Sequence, residues 1–415
     1  PQLGESTSCP ASIKNALKWL RICRTAHVRC NHNSSADHKW HPTRLIDLGP
    51  TNSLQWKLHS SPEDGVLTKP PPYIALSYRW GPKPQILLLL STISEFRRGH
   101  PLSILPTTFR DVVFVARTSS IRYIWIDALC IIQDSPADWE VEAMTMRKVY
   151  SLAAFTVAAS ASHHEDDGLF RSRDPSAVLP GIITLPTTTS EPKIFRVFER
   201  DYWDRNIYSG PLHKRGWVFQ ERLLSRRVLY FGTNQILWEC FTALKCEGFP
   251  AGIPFYKSSK ELSALWRLLE QEQVMETAVE TPLTIYALWC RLVRHYSNCA
   301  FTKIQDKLPA FSGIAKLFQE VTGDEYLAGL WQSRLVEGLD WRVVEPAFKA
   351  SPEDYRAPSW SWASIDGSLT LETPSADDQQ LVEVIEARVL NHGSDPMGRI
   401  SDGYMRVRGA LVQAE

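Results

Sequence analysis

Residues 215–225, RGWVFQERLLS, hold Arg215, Trp217, Gln220 and Glu221 in one short segment. Wound as a helix, the segment sets Trp217, Gln220, Glu221 and Leu224 on one face. A carboxylate kept from water can stabilise positive charge that develops as a bond breaks, and an indole face attracts a cationic ring. The same carboxylate can equally serve structure, as an ion pair with Arg215 or Arg222 or as a backbone cap. Residue type alone does not choose between the two.

A second group is built from sulfur and imidazole. Cys23, His27 and Cys30 stand at i, i+4 and i+7, one face of a continuous helix, with Cys9, His32, His38 and His41 nearby in the chain. These are zinc-ligand types, but zinc requires four ligands in a tetrahedral array, and the spacing is not that of paired CxxC knuckles. The competing reading is two packed thiols beside one partnered histidine. Cys130, between Leu129 and Ile131 with no histidine close in sequence, reads as an inert buried thiol.

The elements that position these residues follow from periodicity. YIALSYRWG (73–81) alternates like a strand and stops at Gly81-Pro82. LPTTFRDVVFVARTSS (105–120) sets Phe109, Val112, Val113 and Ala116 on one helical face. RYIWIDALC (122–130) is an apolar strand interrupted by Asp127. Ser135, Pro136 and Asp138 form a helix start, and Trp139, Ala143, Met146 and Tyr150 follow at helical spacing. AAFTVAASAS (153–162) is another buried strand. Strand, helix, strand, helix, strand predicts a parallel sheet. RVLYFG and QILWEC flank Gly232-Thr233-Asn234 as a hairpin, HPTRLIDLG (41–49) is a short strand, and residues 50–72 read as a loop. RAPSWSWAS (356–364) alternates Trp360 and Trp362 with serines, which as a strand puts both indoles on one face.

Composition removes several classes. The 46 basic and 46 acidic residues leave no field for nucleic acid. Eight scattered cysteines read as reduced thiols, and the longest apolar run, ILLLL (86–90), is too short for a bilayer. The expectation is a cytoplasmic chain without membrane or nucleic-acid partners. With no Gly-x-Ser-x-Gly, P-loop or Gly-x-Gly-x-x-Gly pattern, the sequence argues against serine hydrolases, P-loop NTPases and typical dehydrogenases.

Together, YIALSYRWG, the long segment YIWIDALC…VAAS, RGWVFQERLLSRRVLYFGTNQILWEC and RAPSWSWAS resemble the fungal heterokaryon-incompatibility (HET) domain family; WLRICRTAHVRC, HPTRLIDLG and DKLPAFSGIAK are also similar to it. The resemblance implies non-self recognition, regulated cell death and a distant likeness to Toll/interleukin-1 receptor (TIR) domains, some of which cleave NAD. In those NADases a glutamate follows a tryptophan by four residues on a helix after the third strand, the spacing of Trp217 and Glu221. The expected fold is α/β: a TIR-like core with a parallel sheet flanked by helices, plus a helical segment and a β-rich C-terminal part. Residues 1–250 would form the HET domain, with the core at about 73–240 and an irregular insertion at 163–210. Residues 251–415 would form a helical, then β-rich, extension packed on the core.

Open α/β sheets bind ligands at the C-terminal edge of their strands. Ser77, Tyr78, Arg79 and Trp80 would lie there, with Arg79 meeting a pyrophosphate and Trp80 stacking a base, or simply packing over the turn. Asp127 there would accept ribose hydroxyls with help from Gln133, or cap its own turn. Glu221 would be the catalytic carboxylate of an NAD glycohydrolase, with Arg215 and Trp217 at the substrate. NAD or a related nucleotide is then a substrate, and no cofactor is required. Two other readings use the same fold: a biosynthetic enzyme acting on a small metabolite, and a non-catalytic signalling module that forms homo-oligomers.

Overall fold

The computed structural model describes residues 3–31, 39–61, 64, 70–186, 193–254, 260–269, 282–346, 355–373 and 380–410. The chain divides into two compact units that interleave in sequence. The first comprises 1–139, 148–213 and 221–260; the second comprises 140–147, 214–220 and 261–415.

The first unit is built on a nine-stranded sheet. Its strands are β1 (Arg44–Asp47), β2 (Gln55–Ser60), β3 (Tyr73–Ser77), β4 (His100–Pro101), β5 (Tyr123–Trp125), β6 (Phe155–Ala158), β9 (Arg227–Phe231), β10 (Ile236–Cys240) and β11 (Leu244–Cys246). The intervening β7 (Gly181–Leu185) and β8 (Lys193–Val197) form a separate antiparallel hairpin within the expected insertion. The sheet order is β11-β10-β9-β6-β3-β5-β1-β2-β4. The central pairs β3–β5, β3–β6 and β6–β9 are parallel. The flanks β5–β1–β2–β4 and β9–β10–β11 are antiparallel. The α/β class and the parallel centre agree with the periodicity, and β9–β10 is the expected hairpin. Part of the expected 50–72 loop is instead strand β2, where Trp56 and Leu58 alternate inward. The parallel strands β3 and β6 are buried at every position, because helices cover both faces of such a sheet.

Local chemistry explains the elements. The helix Pro136–Leu152 opens on Ser135, whose hydroxyl accepts the Asp138 amide, with Pro136 in the first turn. The helix Pro10–Ala26 is held on the sheet by a buried ion pair. Arg173 Nη1 lies 2.5 Å from Glu247 Oε2, and both side chains are fully buried. Glu247 also accepts the Ser12 hydroxyl and the Ile236 amide, and Arg173 donates to Gly4 O and Asn234 O. Every charge-bearing atom in this cluster therefore has a hydrogen-bond partner, as burial demands.

The second unit contains the helices Ser263–Leu269, Pro282–Ser297 and Pro309–Thr322 and three antiparallel strand pairs. Its core is aromatic: Trp289 packs edge-on to Phe311 and Trp331 at 5.2 and 5.0 Å. RAPSWSWAS is not a strand. A turn closes from Pro358 O to Ser361 N, and Ser361 caps a 3-10 turn over Trp362–Ser364. Trp362 is buried with its indole N–H on Gly329 O, so the two indoles do not share a strand face.

Truncating Glu247 to Ala leaves the Arg173 guanidinium buried without its carboxylate. Urea unfolding is expected to show a loss of about 3–5 kcal/mol. A loss below about 1 kcal/mol, the range of exposed pairs, would contradict the role given to this cluster.

Candidate functional site

The C-terminal ends of β3 and β5 lead directly to the residues singled out above. Ser77 ends β3; it is buried, and its hydroxyl has no hydrogen-bond partner among the described residues. Tyr78 is buried edge-on against Phe109, with ring centroids 5.1 Å apart. Arg79 is exposed and Trp80 half-buried. The Trp80 indole N–H donates to Asp127 Oδ2 at 2.8 Å, joining the two strand ends. Asp127 opens a helical turn, and its Oδ1 accepts the Ala128 amide at 2.7 Å. Gln133 spends its amide on the carbonyls of Asp127 and Ile131, at 3.0 and 2.9 Å, so it braces this turn. Glu165 completes the edge, accepting the Gly81 amide at 2.6 Å. A Cβ at position 81 would lie 2.8 Å from that carboxylate, so glycine suits this close approach.

Glu221 belongs to the first unit and is 6% exposed. Its carboxylate meets the phenol of Tyr150, on the helix Pro136–Leu152, and the charge of Asp127 also reaches that phenol. Burial first, then the charge of Glu221, raise the Tyr150 pKa well above the usual phenol value, so the phenol stays protonated as a donor. Its hydroxyl also lies 3.2 Å from Leu76 O, near the end of β3. The end of β3 thus carries the Tyr150 phenol, which Glu221 meets and which the charge of Asp127 also reaches. Such carboxylates can hold hydroxyls and stabilise a positive centre.

Trp217 and Arg215 belong to the second unit. The Trp217 indole donates to Asp306 Oδ2 at 3.1 Å, and Asp306 pairs with Arg399. Arg215 forms a backbone bridge to Ala300. Gly216 between them carries the ring of Phe301 so closely that a Cβ would lie 1.9 Å from it. The helical spacing of Trp217 and Glu221 is real, as both lie on Gly216–Leu224.

Arg222, the next residue, is committed elsewhere. Its guanidinium meets the fully buried Glu239 of β10 at 3.0 Å and Tyr230 Oη at 3.2 Å. Lys260 donates to the Arg222 carbonyl and lies 3.7 Å from Glu239. Burial draws the Lys260 pKa down to about 8. His213 lies beside Tyr230 and 3.2 Å from Ser160 Oγ.

In sequence, Tyr150 looked like one more core aromatic on a helix face, and Glu165 lay in the irregular insertion. Neither carries a local signal, because both meet the site only through tertiary contacts.

The first unit also gathers Cys23, His27, Cys30 and Cys240, whose ligand atoms lie within 4.8 Å of one another. The expected continuous helix over 23–30 is not present. It ends at Ala26, His27 is extended, and a short helix Val28–Asn31 follows. The Asn31 side-chain amide donates to the carbonyls of Cys23 and His27 at 2.8 and 2.9 Å, which holds the break. Hydrogen bonds from its neighbours hold the Cys30 thiol below the usual range, and the same contacts push the Cys23 thiol up. His32 and His38 lie outside the described residues. His41 meets Pro42 O and Cys9 meets Ser12.

The model of the family described as heterokaryon incompatibility protein (HET) matches residues 73–221. The chain carries a HET domain. The match begins with the first residue of β3 and ends on Glu221, so Ser77, Tyr78, Asp127, Tyr150 and Glu221 all lie within the HET segment. Heterokaryon incompatibility protein 6, OR allele, of Neurospora crassa is 31% identical over 117 residues. That stretch is 26% of this chain and 17% of the relative, so the chain spans only a small part of the curated relative it matches. No solved structure matches. Among the described residues, no helix is long and apolar enough to cross a membrane.

The His213 ring stays neutral in the folded chain: burial, then the charge of Arg222, draw its pKa down to about 3. In the unfolded chain the ring takes a proton near about 6.5. Between these values the unfolded state binds a proton that the folded state refuses, so stability falls as pH drops through that window. The wild-type chain is expected to lose about 1.4 kcal/mol more per pH unit than His213→Asn between about pH 6 and 4. Urea unfolding at each pH reads this; parallel curves would refute it.

Proposed function

We propose that this HET protein acts in fungal non-self recognition and regulated cell death, and that its Glu221 centre hydrolyses NAD or a related nucleotide. The cellular role rests on the HET match and on the name of the Neurospora crassa relative. The observation that carries the chemical reading is Glu221 itself. It is a buried carboxylate on the phenol of Tyr150, whose hydroxyl lies at Leu76 near the C-terminal end of β3, and the charge of Asp127 reaches the same phenol.

In this reading the nicotinamide–ribose bond breaks with its electron pair leaving on nicotinamide. Positive charge develops on the ribose, and the Glu221 carboxylate stabilises it. Water adds to the ribose carbon and releases a proton to solvent. The pyridinium is already a good leaving group, so the step needs neither metal nor strong acid. Asp127, fixed by Trp80, accepts ribose hydroxyls, and the exposed Arg79 meets the pyrophosphate. Trp217 has no assigned part in this step, since its indole N–H is engaged by Asp306.

Purified protein is expected to release nicotinamide from NAD, and Glu221→Gln to lower that rate by about 100-fold or more with an unchanged melting temperature. Background turnover in both proteins would remove the NADase reading. Cell death that survives in the variant would then favour an oligomerising signalling module. Depletion of one other metabolite, with NAD steady, would favour a biosynthetic enzyme.

A further inference from the structure

The geometry points to a structural zinc site formed by Cys23, His27, Cys30 and Cys240. It is independent of the Glu221 centre, and all four residues lie outside the segment that matches the HET family.

Three observations carry it. The first is fit. With Zn–S near about 2.3 Å and Zn–N near about 2.0 Å, neighbouring ligand atoms of a tetrahedral site lie about 3.5–3.8 Å apart. Here the four ligand atoms are within 4.8 Å of one another, and His27 Nδ1 is 3.4 Å from Cys240 Sγ. A cation can enter with shifts below about 1 Å.

The second is the backbone that delivers them. Cys23, His27 and Cys30 come from one chain region and Cys240 from the end of β10, and the helix is broken at His27. An unbroken helix would carry His27 and Cys30 along its own axis. The break, held by Asn31, places Cys30 beside Cys23 and Cys240 instead. Mere packing of small thiols needs no such break.

The third is charge. Three thiolates and a divalent ion leave a net negative site. Arg227, the cross-strand partner of Cys240, donates to Cys23 Sγ at 3.2 Å and to Cys30 O at 2.6 Å. The charges of Lys245 and Lys260 also reach these thiols. Outer-shell donors to ligand sulfur are a regular part of such sites.

Soft thiolates with one imidazole select zinc among abundant divalent ions. Four protein ligands leave no open position, so the ion holds structure and does no chemistry. It would fasten the end of the helix Pro10–Ala26 to the end of β10, the strand next to the sheet's edge strand β11.

The full chain, expressed with zinc in the medium and dialysed, is expected to retain about one zinc per chain by elemental analysis. Replacing zinc with cobalt(II) is expected to give the visible bands of a tetrahedral ion and thiolate charge-transfer absorption. His27→Ala and Cys240→Ser should each lose the metal, while Cys299→Ser, outside the group, should keep it. Strong chelation should lower the wild-type melting temperature. The wild-type measurements stand whether or not a variant folds. Wild-type protein without zinc and without a cobalt spectrum overturns the site. So does iron with sulfide in place of zinc, or a disulfide among these three cysteines in freshly purified protein.

Discussion

A carboxylate buried from water must be met by a cation and by hydrogen-bond donors, and Glu239 imposes that requirement on the centre of the first unit. It is entirely buried in β10, and its partners are Arg222, Tyr230 and Lys260. Arg222 follows Glu221 directly, so satisfying Glu239 fixes the helical segment that carries Glu221 against the sheet. Lys260 reinforces the same segment through the Arg222 carbonyl. Such a network contributes little net stability over well-packed apolar side chains, but breaking it is costly, and it admits few alternative arrangements. From that segment Glu221 meets the Tyr150 phenol.

Much of this framework was legible in the chain. Period-2 and period-3.6 apolar patterns marked β3, β5, β6 and the helices between them, and Ser135-Pro136 marked a helix start that the structure keeps. Asp127 and Trp80 stood out as polar and aromatic groups at strand ends, and they do meet. The rest depends on contacts between distant residues, which leave no local trace. Tyr150 reads as core until Glu221 arrives beside it. Cys240 is one more buried thiol in a strand until its neighbours are known. The helix break at His27 depends on the Asn31 side chain reaching back to two carbonyls, where apolar spacing alone continues the helix. RAPSWSWAS shows the opposite failure: its alternation is that of a strand, but a serine-capped turn at Ser361 takes the backbone elsewhere.

The sheet of the first unit has two chemically different ends. At the C-terminal edge of the parallel strands lie Asp127, Trp80 and Tyr78, where open α/β sheets take ligands. The sulfur and imidazole group lies at the other end, beside Arg227, the first residue of β9. Only the first of these falls in the segment that matches the HET family.

Binding of NAD to the Glu221→Gln protein, measured by isothermal titration calorimetry beside a Glu221→Gln/Asp127→Asn double variant, tests the central claim most directly. Saturable binding is expected of the single variant, which keeps Asp127 but does not turn NAD over, and binding at least about tenfold weaker is expected once that charged hydroxyl acceptor is also neutralised. Failure of the single variant to bind NAD, or equal binding by both, would contradict the claim.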